Sequence, residues 1–239
     1  MHGPAIGVLA KAPVPGLAKT RLAAAFGAKA AAQLAAAMLL DTASLVRRCG
    51  LPAYLIVTPA EHCASVSSLV DLPGLPQGDG DLGERMAAAF AALFALGHAP
   101  VVLIGTDTPH LPPAHLREIL DLATGEPNVA VIGPAEDGGY WAIALSRAAP
   151  ALFTGIPWSS ADVLEATRLA AMRAGVALRH GPLCYDIDTS DDLARLYASE
   201  GAEPDRAPRT RAAAAALIAP GGGARLVSEN VHPGEDTVS

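Results

Sequence analysis

Short apolar runs alternate with longer helical patterns along almost the whole chain. Residues 5–9, 53–57, 100–104, 129–132, 140–144 and 184–187 read as strands; the run ending at Ile104 has the β-branched core of a buried one. Between them, residues 27–49, 61–70, 82–96, 113–123, 160–174 and 190–199 read as helices. The first carries Leu34, Met38 and Leu45 along one side. Pro113 opens its helix at a position where no N–H is required, Ser160 is placed to cap another, and Asp191 and Asp192 fall in a favourable first turn. This rhythm predicts an α/β fold with three α/β/α layers and a mostly parallel sheet, in which ligands bind beyond the carboxyl ends of the strands. Residues 1–200 form one domain on this reading. Residues 201–239 lose the core pattern and read as a mostly disordered tail, with room for a short Ala-rich helix over 210–219 before Pro220-Gly-Gly-Gly223.

Composition narrows the partners. The 239 residues are 51% hydrophobic, ample for a core, and carry a net charge of −7 with no basic stripe, which argues against nucleic acid as a partner. Three cysteines without CxxC spacing suit a reduced, cytoplasmic setting better than a disulfide framework or zinc site. The N-terminus lacks a signal-peptide pattern, and no stretch reaches the ~20 apolar residues of a membrane span.

The polar signals fall in loops at the ends of the expected strands. Lys11-Ala-Pro-Val-Pro-Gly16-Leu-Ala-Lys19-Thr-Arg21-Leu22 holds two of the chain's three lysines, directly after the first strand. A strand, a Pro/Gly loop with converging cations and a helix can cradle phosphates, or be an ordinary connection with solvated lysines. Gly105-Thr-Asp107-Thr-Pro109 follows the third expected strand; Asp107 either holds a divalent cation at the cleft floor or caps a turn. Asp186 and Asp188 are two apart in an extended segment and point to the same side, as a metal pair or as acids favouring a helix N-terminus. Gln77–Arg85 is a Gly-rich entry to a helix, whose main-chain N–H groups either hold a ribose or phosphate or merely connect into the helix. Glu136-Asp137-Gly138-Gly139-Tyr140 is either a plain hairpin turn or one whose glycines make room for an acceptor. The seven histidines are scattered, without metal-site spacing, and there is no GxSxG elbow for a covalent nucleophile.

Taken in order, the Lys11–Leu22 loop, Gly80-Asp-Leu-Gly-Glu-Arg85, Gly105-Thr-Asp-Thr-Pro109, Glu136-Asp-Gly-Gly-Tyr140 and Asp186-Ile-Asp-Thr189 resemble the glycosyltransferase-like family labelled radical-SAM/selenodomain-associated transferase, of GT-A (nucleotide-diphospho-sugar transferase) fold. More distantly they are similar to 2-phospho-lactate and molybdenum-cofactor guanylyltransferases. The resemblance spans roughly residues 5–198. It implies a nucleotide-dependent transferase using Mg²⁺ or Mn²⁺, with a nucleotide or nucleotide-sugar donor and a small-molecule acceptor, by glycosyl or nucleotidyl transfer. It implies that Lys11, Gly16, Lys19, Arg21, Asp81 and Arg85 bind the nucleotide and that Asp107 and Asp188 hold the metal. Lys19, Asp107 and Asp188 would then act in catalysis, and Asp137, Gly138, Gly139 and Tyr140 would meet the acceptor. A catalytically silent nucleotide-binding or scaffold module is the alternative expectation.

Overall fold

Successive strand residues bury against opposite faces of one sheet, and this sorts the helices into layers. The computed structural model describes residues 2–199 and 205–218. Among these residues seven strands run β1 (Ala5–Lys11), β2 (Ala53–Thr58), β3 (Gly74–Pro76), β4 (Val101–Ile104), β5 (Val129–Pro134), β6 (Tyr140–Leu145) and β7 (Ala177–His180). Their order in the sheet is β3-β2-β1-β4-β6-β5-β7, parallel except for β6, which lies antiparallel between β4 and β5. The helices are α1 (Thr20–Phe26), α2 (Ala28–Arg48), α3 (Cys63–Val70), α4 (Leu82–Ala95), α5 (Pro113–Thr124), α6 (Val163–Ala174), α7 (Ser190–Ala198) and α8 (Pro208–Ile218). Ile6, Val8, Val102, Ile104, Val129 and Val131 face one layer with Leu39 and Val46 of α2, Val66 of α3 and Ile119 of α5. Val101, Leu103, Ala130, Ile132 and Ile143 face the other, against Phe90 and Leu93 of α4 and Ala171 of α6. Three α/β/α layers result, as the alternation of strand and helix predicts.

Several boundaries differ from the sequence reading. The extended segment 184–187 is not a strand; only Cys184 makes a bridge, to Ala135. The strand lies earlier, at β7, an edge strand whose Ala-Leu-Arg-His residues are half-buried or exposed and so carry no apolar signature. The short edge strand β3 is hidden for a similar reason. α6 begins at Val163, not Ser160, because the Ser160 hydroxyl accepts a hydrogen bond from the Asp162 amide at 3.2 Å and closes a local turn. α1 forms where the sequence reads only loop.

The expectation of a mostly disordered stretch after residue 200 is corrected over 208–218. There α8 packs Ala214 and Leu217 into a third apolar cluster with Leu34 and Met38 of α2, Leu22 of α1 and Leu193 and Leu196 of α7. Residues 201–204 and 219–239 lie outside the described residues. What holds α8 is a buried acid from another helix. Asp41 of α2 accepts from the Thr210 amide and hydroxyl, both at 2.8 Å, and from Arg209 Nη1 at 3.2 Å. It thus caps the first turn of α8 from outside. Asp41→Ala leaves the buried Thr210 donors unpaired, and Arg209 alone can turn back to water. The expected loss is about 2–3 kcal/mol in urea unfolding; an unchanged midpoint would show that α8 contributes nothing to the fold.

Candidate active site

The carboxyl ends of the parallel strands and the start of antiparallel β6 open on a cleft of about 720 Å³. Lys11 comes from the end of β1, Gln77 from just past β3, Gly105–Asp107 from β4, and Asp137, Gly139 and Tyr140 from the β5–β6 turn. Lys19, Arg21, Arg85, Asp186 and Asp188 complete the charged lining. The strand-end rule therefore places most of the motifs in one cavity.

Lys19 lies at the centre. Its Nζ donates to the Ile187 carbonyl at 2.6 Å and pairs with Asp107 Oδ1 at 2.6 Å and Asp188 Oδ1 at 2.8 Å. Its side chain is 8% exposed, whereas the two carboxylates are 45% and 35% exposed, so the ammonium sits beneath them. Burial pulls the Lys19 pKa down, but the Asp107 and Asp188 charges and hydrogen bonds outweigh it and leave the pKa raised: the group is an ammonium. Its backbone is left-handed, at φ 52° and ψ 48°, just before α1. A lysine held there costs on the order of 1–3 kcal/mol, a strain its three partners offset. Arg21, two residues on, is exposed and lies 3.9 Å from Asp188 Oδ2.

Two features fix the aspartates. The Ile187 amide donates to the Asp107 carbonyl at 2.9 Å, stitching the β4 loop to the 186–188 segment. A capping box at the start of α7 follows at once: the Asp192 carboxylate accepts from the amides of Asp188 (3.1 Å) and Thr189 (2.8 Å), and Thr189 Oγ1 accepts from the Asp192 amide. Arg195 of α7 makes a bidentate pair with Glu136 at 2.7 and 2.9 Å and lies over the Tyr185 ring at 3.8 Å, tying the helix to the β5–β6 turn. His110 is packed behind this seam, its ring centroid 4.2 Å from that of Tyr185. Burial, then the charges of Arg211, Arg195 and Arg206, push its pKa down to about 4, so it is neutral at ordinary pH.

Four acidic and four basic side chains line the cleft, and the acids crowd one another. Burial, then Asp107, Asp137 and Asp188, push the Asp186 carboxyl up to about 7, with Lys19 only partly offsetting them. Two carboxylate oxygens converge on one cation position, which the Lys19 ammonium fills. That donor set suits a hard divalent ion carrying one or two protein carboxylates, with other oxygens completing its shell. Among the described residues no group of three His, Cys, Asp or Glu side chains forms a ready cage.

The other expected residues divide. Lys11 and Arg85 line the cleft; Arg85 Nη1 donates to Gln77 Oε1 at 2.8 Å. Gly16, at φ 86°, and Asp81 lie outside the lining. Asp81 instead caps α4 in a capping box with Glu84. Asp137 and Gly139 line the cleft, and the Asp137 carboxylate accepts from the Gly139 amide at 2.9 Å. Tyr140 presents its ring, edge-on to Trp158 at 6.5 Å, while its hydroxyl is buried, so it walls the cleft rather than binding through oxygen. Gly138 makes room for main chain, not for an acceptor: at φ 90°, a Cβ would stand 2.4 Å from the Ala161 carbonyl. Gly138→Ala should push the 158–162 loop into the cleft and lower kcat/KM at least about ten-fold with little loss of fold. Near-normal steady-state kinetics would show that this contact does not shape the site.

Trp158, Ser159 and Ser160 line the cleft without a role in the sequence reading, and so does the side chain of Gln77, whose loop alone was singled out. An aromatic in the 157–162 loop was the available signal, and the helix read from residue 160 took in the loop's second half.

The family model described as an uncharacterized protein conserved in bacteria (DUF2064) matches residues 39–160, just over half of the chain. The chain belongs to DUF2064. That match contains Asp107 and Asp137–Tyr140 but stops short of Lys19 on one side and Asp188 on the other. Over 202 residues this DUF2064 chain is 31% identical to the phosphoenolpyruvate guanylyltransferase of Rubrobacter xylanophilus, covering 82% of this chain and 96% of the relative. The structure of a protein described as a nucleotide-diphospho-sugar transferase from Desulfovibrio desulfuricans G20 superposes with a TM-score of 0.81 at 30% identity, covering 89% and 94% of the two chains. CMP:2-keto-3-deoxy-manno-octonic acid synthetase, solved with CTP, shares the fold alone, with a TM-score of 0.55 at 13% identity over 84% of this chain and 99% of that one. The sheet and layers are those of the nucleotide-diphospho-sugar transferase fold. Among the described residues no helix is long and apolar enough to cross a membrane.

Proposed function

We propose that this protein is a nucleotidyltransferase, transferring a nucleoside monophosphate from a nucleoside triphosphate, with GTP the first candidate, to a small acid that bears a phosphate, such as phosphoenolpyruvate. The observation that carries this reading is the cation set on the β1 side of the cleft, Lys11, Lys19 and Arg21, facing the convergent carboxylates of Asp107 and Asp188. A triphosphate carries more negative charge than the diphosphate of a nucleotide-sugar, and a pyrophosphate leaving group gains charge as the bond to the α-phosphorus breaks. The likeness to a guanylyltransferase over most of both chains supports the same choice.

In the transfer, an acceptor phosphate oxygen attacks the α-phosphorus in line, the bond to the bridging oxygen breaks, and pyrophosphate leaves. That nucleophile is already ionised at neutral pH and needs no general base. The neutral, buried His110 and the protonated phenol of Tyr140, whose pKa burial raises, are not asked to supply one. Lys11, Lys19 and Arg21 would stabilise the charge on the leaving pyrophosphate. Asp107 and Asp188 would hold Mg²⁺ or Mn²⁺, which when bound neutralises phosphate charge. Gln77 and Arg85, at the β3 end, form the wall available to the base, and Asp137 and Gly139 the opposite wall available to the acceptor.

Thermal shift against nucleoside triphosphates and nucleotide-sugars, with and without Mg²⁺, tests the reading. A selective rise with a triphosphate is expected. A rise confined to nucleotide-sugars would favour glycosyl transfer, the reading the Desulfovibrio likeness supports. Tight, metal-indifferent binding without turnover would instead indicate a silent binding module.

A further inference from the structure

We propose that Lys19 is an exchangeable counter-ion, which occupies the cation position between Asp107 and Asp188 in the free enzyme and yields it to the divalent ion when nucleotide arrives. The inference rests on the reading that these two carboxylates hold the metal, and it concerns the order in which the site fills. Three observations converge on it. One ammonium touches both carboxylates at 2.6 and 2.8 Å, within the distance at which those oxygens would share an ion. It is buried on the protein side, with the Ile187 carbonyl as its third partner, so it competes from beneath while an entering ion approaches from the open side. And the residue sits in a left-handed backbone conformation at the junction of a Pro/Gly loop and a short helix, a state held by those same contacts.

The physical consequence is coupling. With its charge satisfied by Lys19, the carboxylate pair offers a free divalent ion little, because binding must displace an ammonium already in contact. With only two converging protein carboxylates, the ion must draw further oxygens from water or from the ligand. A nucleotide phosphate changes both sides of the exchange: it gives the released Lys19 ammonium a new anionic partner and gives the ion additional oxygens. Metal and nucleotide then favour one another, each raising the affinity of the other by the same factor. Lys19 serves the phosphates in the loaded state and guards the aspartates in the empty one.

The test reads Mn²⁺ binding by the loss of the free-ion electron paramagnetic resonance signal, in the nucleotide-free protein at fixed pH near neutrality. Lys19→Met keeps most of the unbranched stem and removes the charge. It is expected to bind Mn²⁺ about ten-fold or more tightly than the wild type, a coupling within the ordinary range between linked sites. Arg21→Met, which removes an exposed charge 3.9 Å from Asp188, controls for the general field and should gain no more than about three-fold. In the wild type, a non-hydrolysable GTP analogue should tighten Mn²⁺ by about ten-fold or more, and this arm requires no variant to fold. Equal or weaker Mn²⁺ binding by a folded Lys19→Met protein overturns the exchange, as does wild-type Mn²⁺ affinity that is already high and unmoved by a bound nucleotide. Failure of every nucleotide to bind would sink the proposed transferase reading instead, while the comparison of Lys19→Met with wild type on Mn²⁺ alone would still decide the exchange.

Discussion

Asp107→Asn and Asp188→Asn are each expected to lower kcat by at least ~10²–10³ while the protein remains folded, the scale on which loss of a group stabilising transferred charge is felt. An amide keeps the shape of the carboxylate but loses the charge on which the cation position depends. Both side chains are roughly a third to a half exposed, and each retains its main-chain anchors: the Ile187 amide on the Asp107 carbonyl, and the Asp192 carboxylate on the Asp188 amide. Their melting temperatures should therefore move little. Because the two oxygens meet at one point, the double variant should be scarcely worse than either single. Raising Mg²⁺ should partly restore the singles. Steady-state rates that multiply fully in the double variant would show two independent roles and leave Asp107 a turn-forming residue. Asp186→Asn should do less harm, since burial and its acidic neighbours already hold that carboxyl partly protonated near neutral pH.

Lys19→Met is the second large effect. Turnover with saturating nucleotide should fall ~10²–10³-fold, because the ammonium nearest the carboxylates is lost from the leaving-group side. Lys19→Arg should not rescue it. A planar guanidinium cannot replace a compact ammonium within 2.6–2.8 Å of three separate oxygens in a nearly closed space. In the unfolding direction the variant should also lose stability in metal-free buffer, where two carboxylates face each other without a counter-ion, and regain it with Mn²⁺. Near-normal kcat in Lys19→Met would assign the residue a purely structural part.

What the sequence made legible was what periodicity and strand ends control. The alternation of apolar runs with helical patterns yielded the layered sheet, and the strand-end rule brought Lys11, Lys19, Asp107, Asp137 and Asp188 into one cleft before any coordinates. Features without an apolar signature escaped it, namely the edge strands β3 and β7. A short helix near α8 was legible, but not its packing on the fold, whose anchor is the buried Asp41 of a helix 168 residues away in sequence. Local roles were equally hard to read. Asp81 looked like a ligand group and is a helix cap; Gly138 looked like acceptor space and is a close approach of two main-chain segments. The meeting of Lys19 with both aspartates was beyond reach, because spacing in sequence does not say that a cation and two anions from three loops share one point.

The most direct test of the transferase reading is ³¹P nuclear magnetic resonance of the protein with GTP, Mg²⁺ and phosphoenolpyruvate. The expected result is stoichiometric appearance of pyrophosphate together with a new diphosphate diester, dependent on the acceptor and lost in Asp107→Asn. Release of free nucleoside diphosphate from a nucleotide-sugar, with nucleoside triphosphates left intact across a panel of phosphorylated acids, would contradict it.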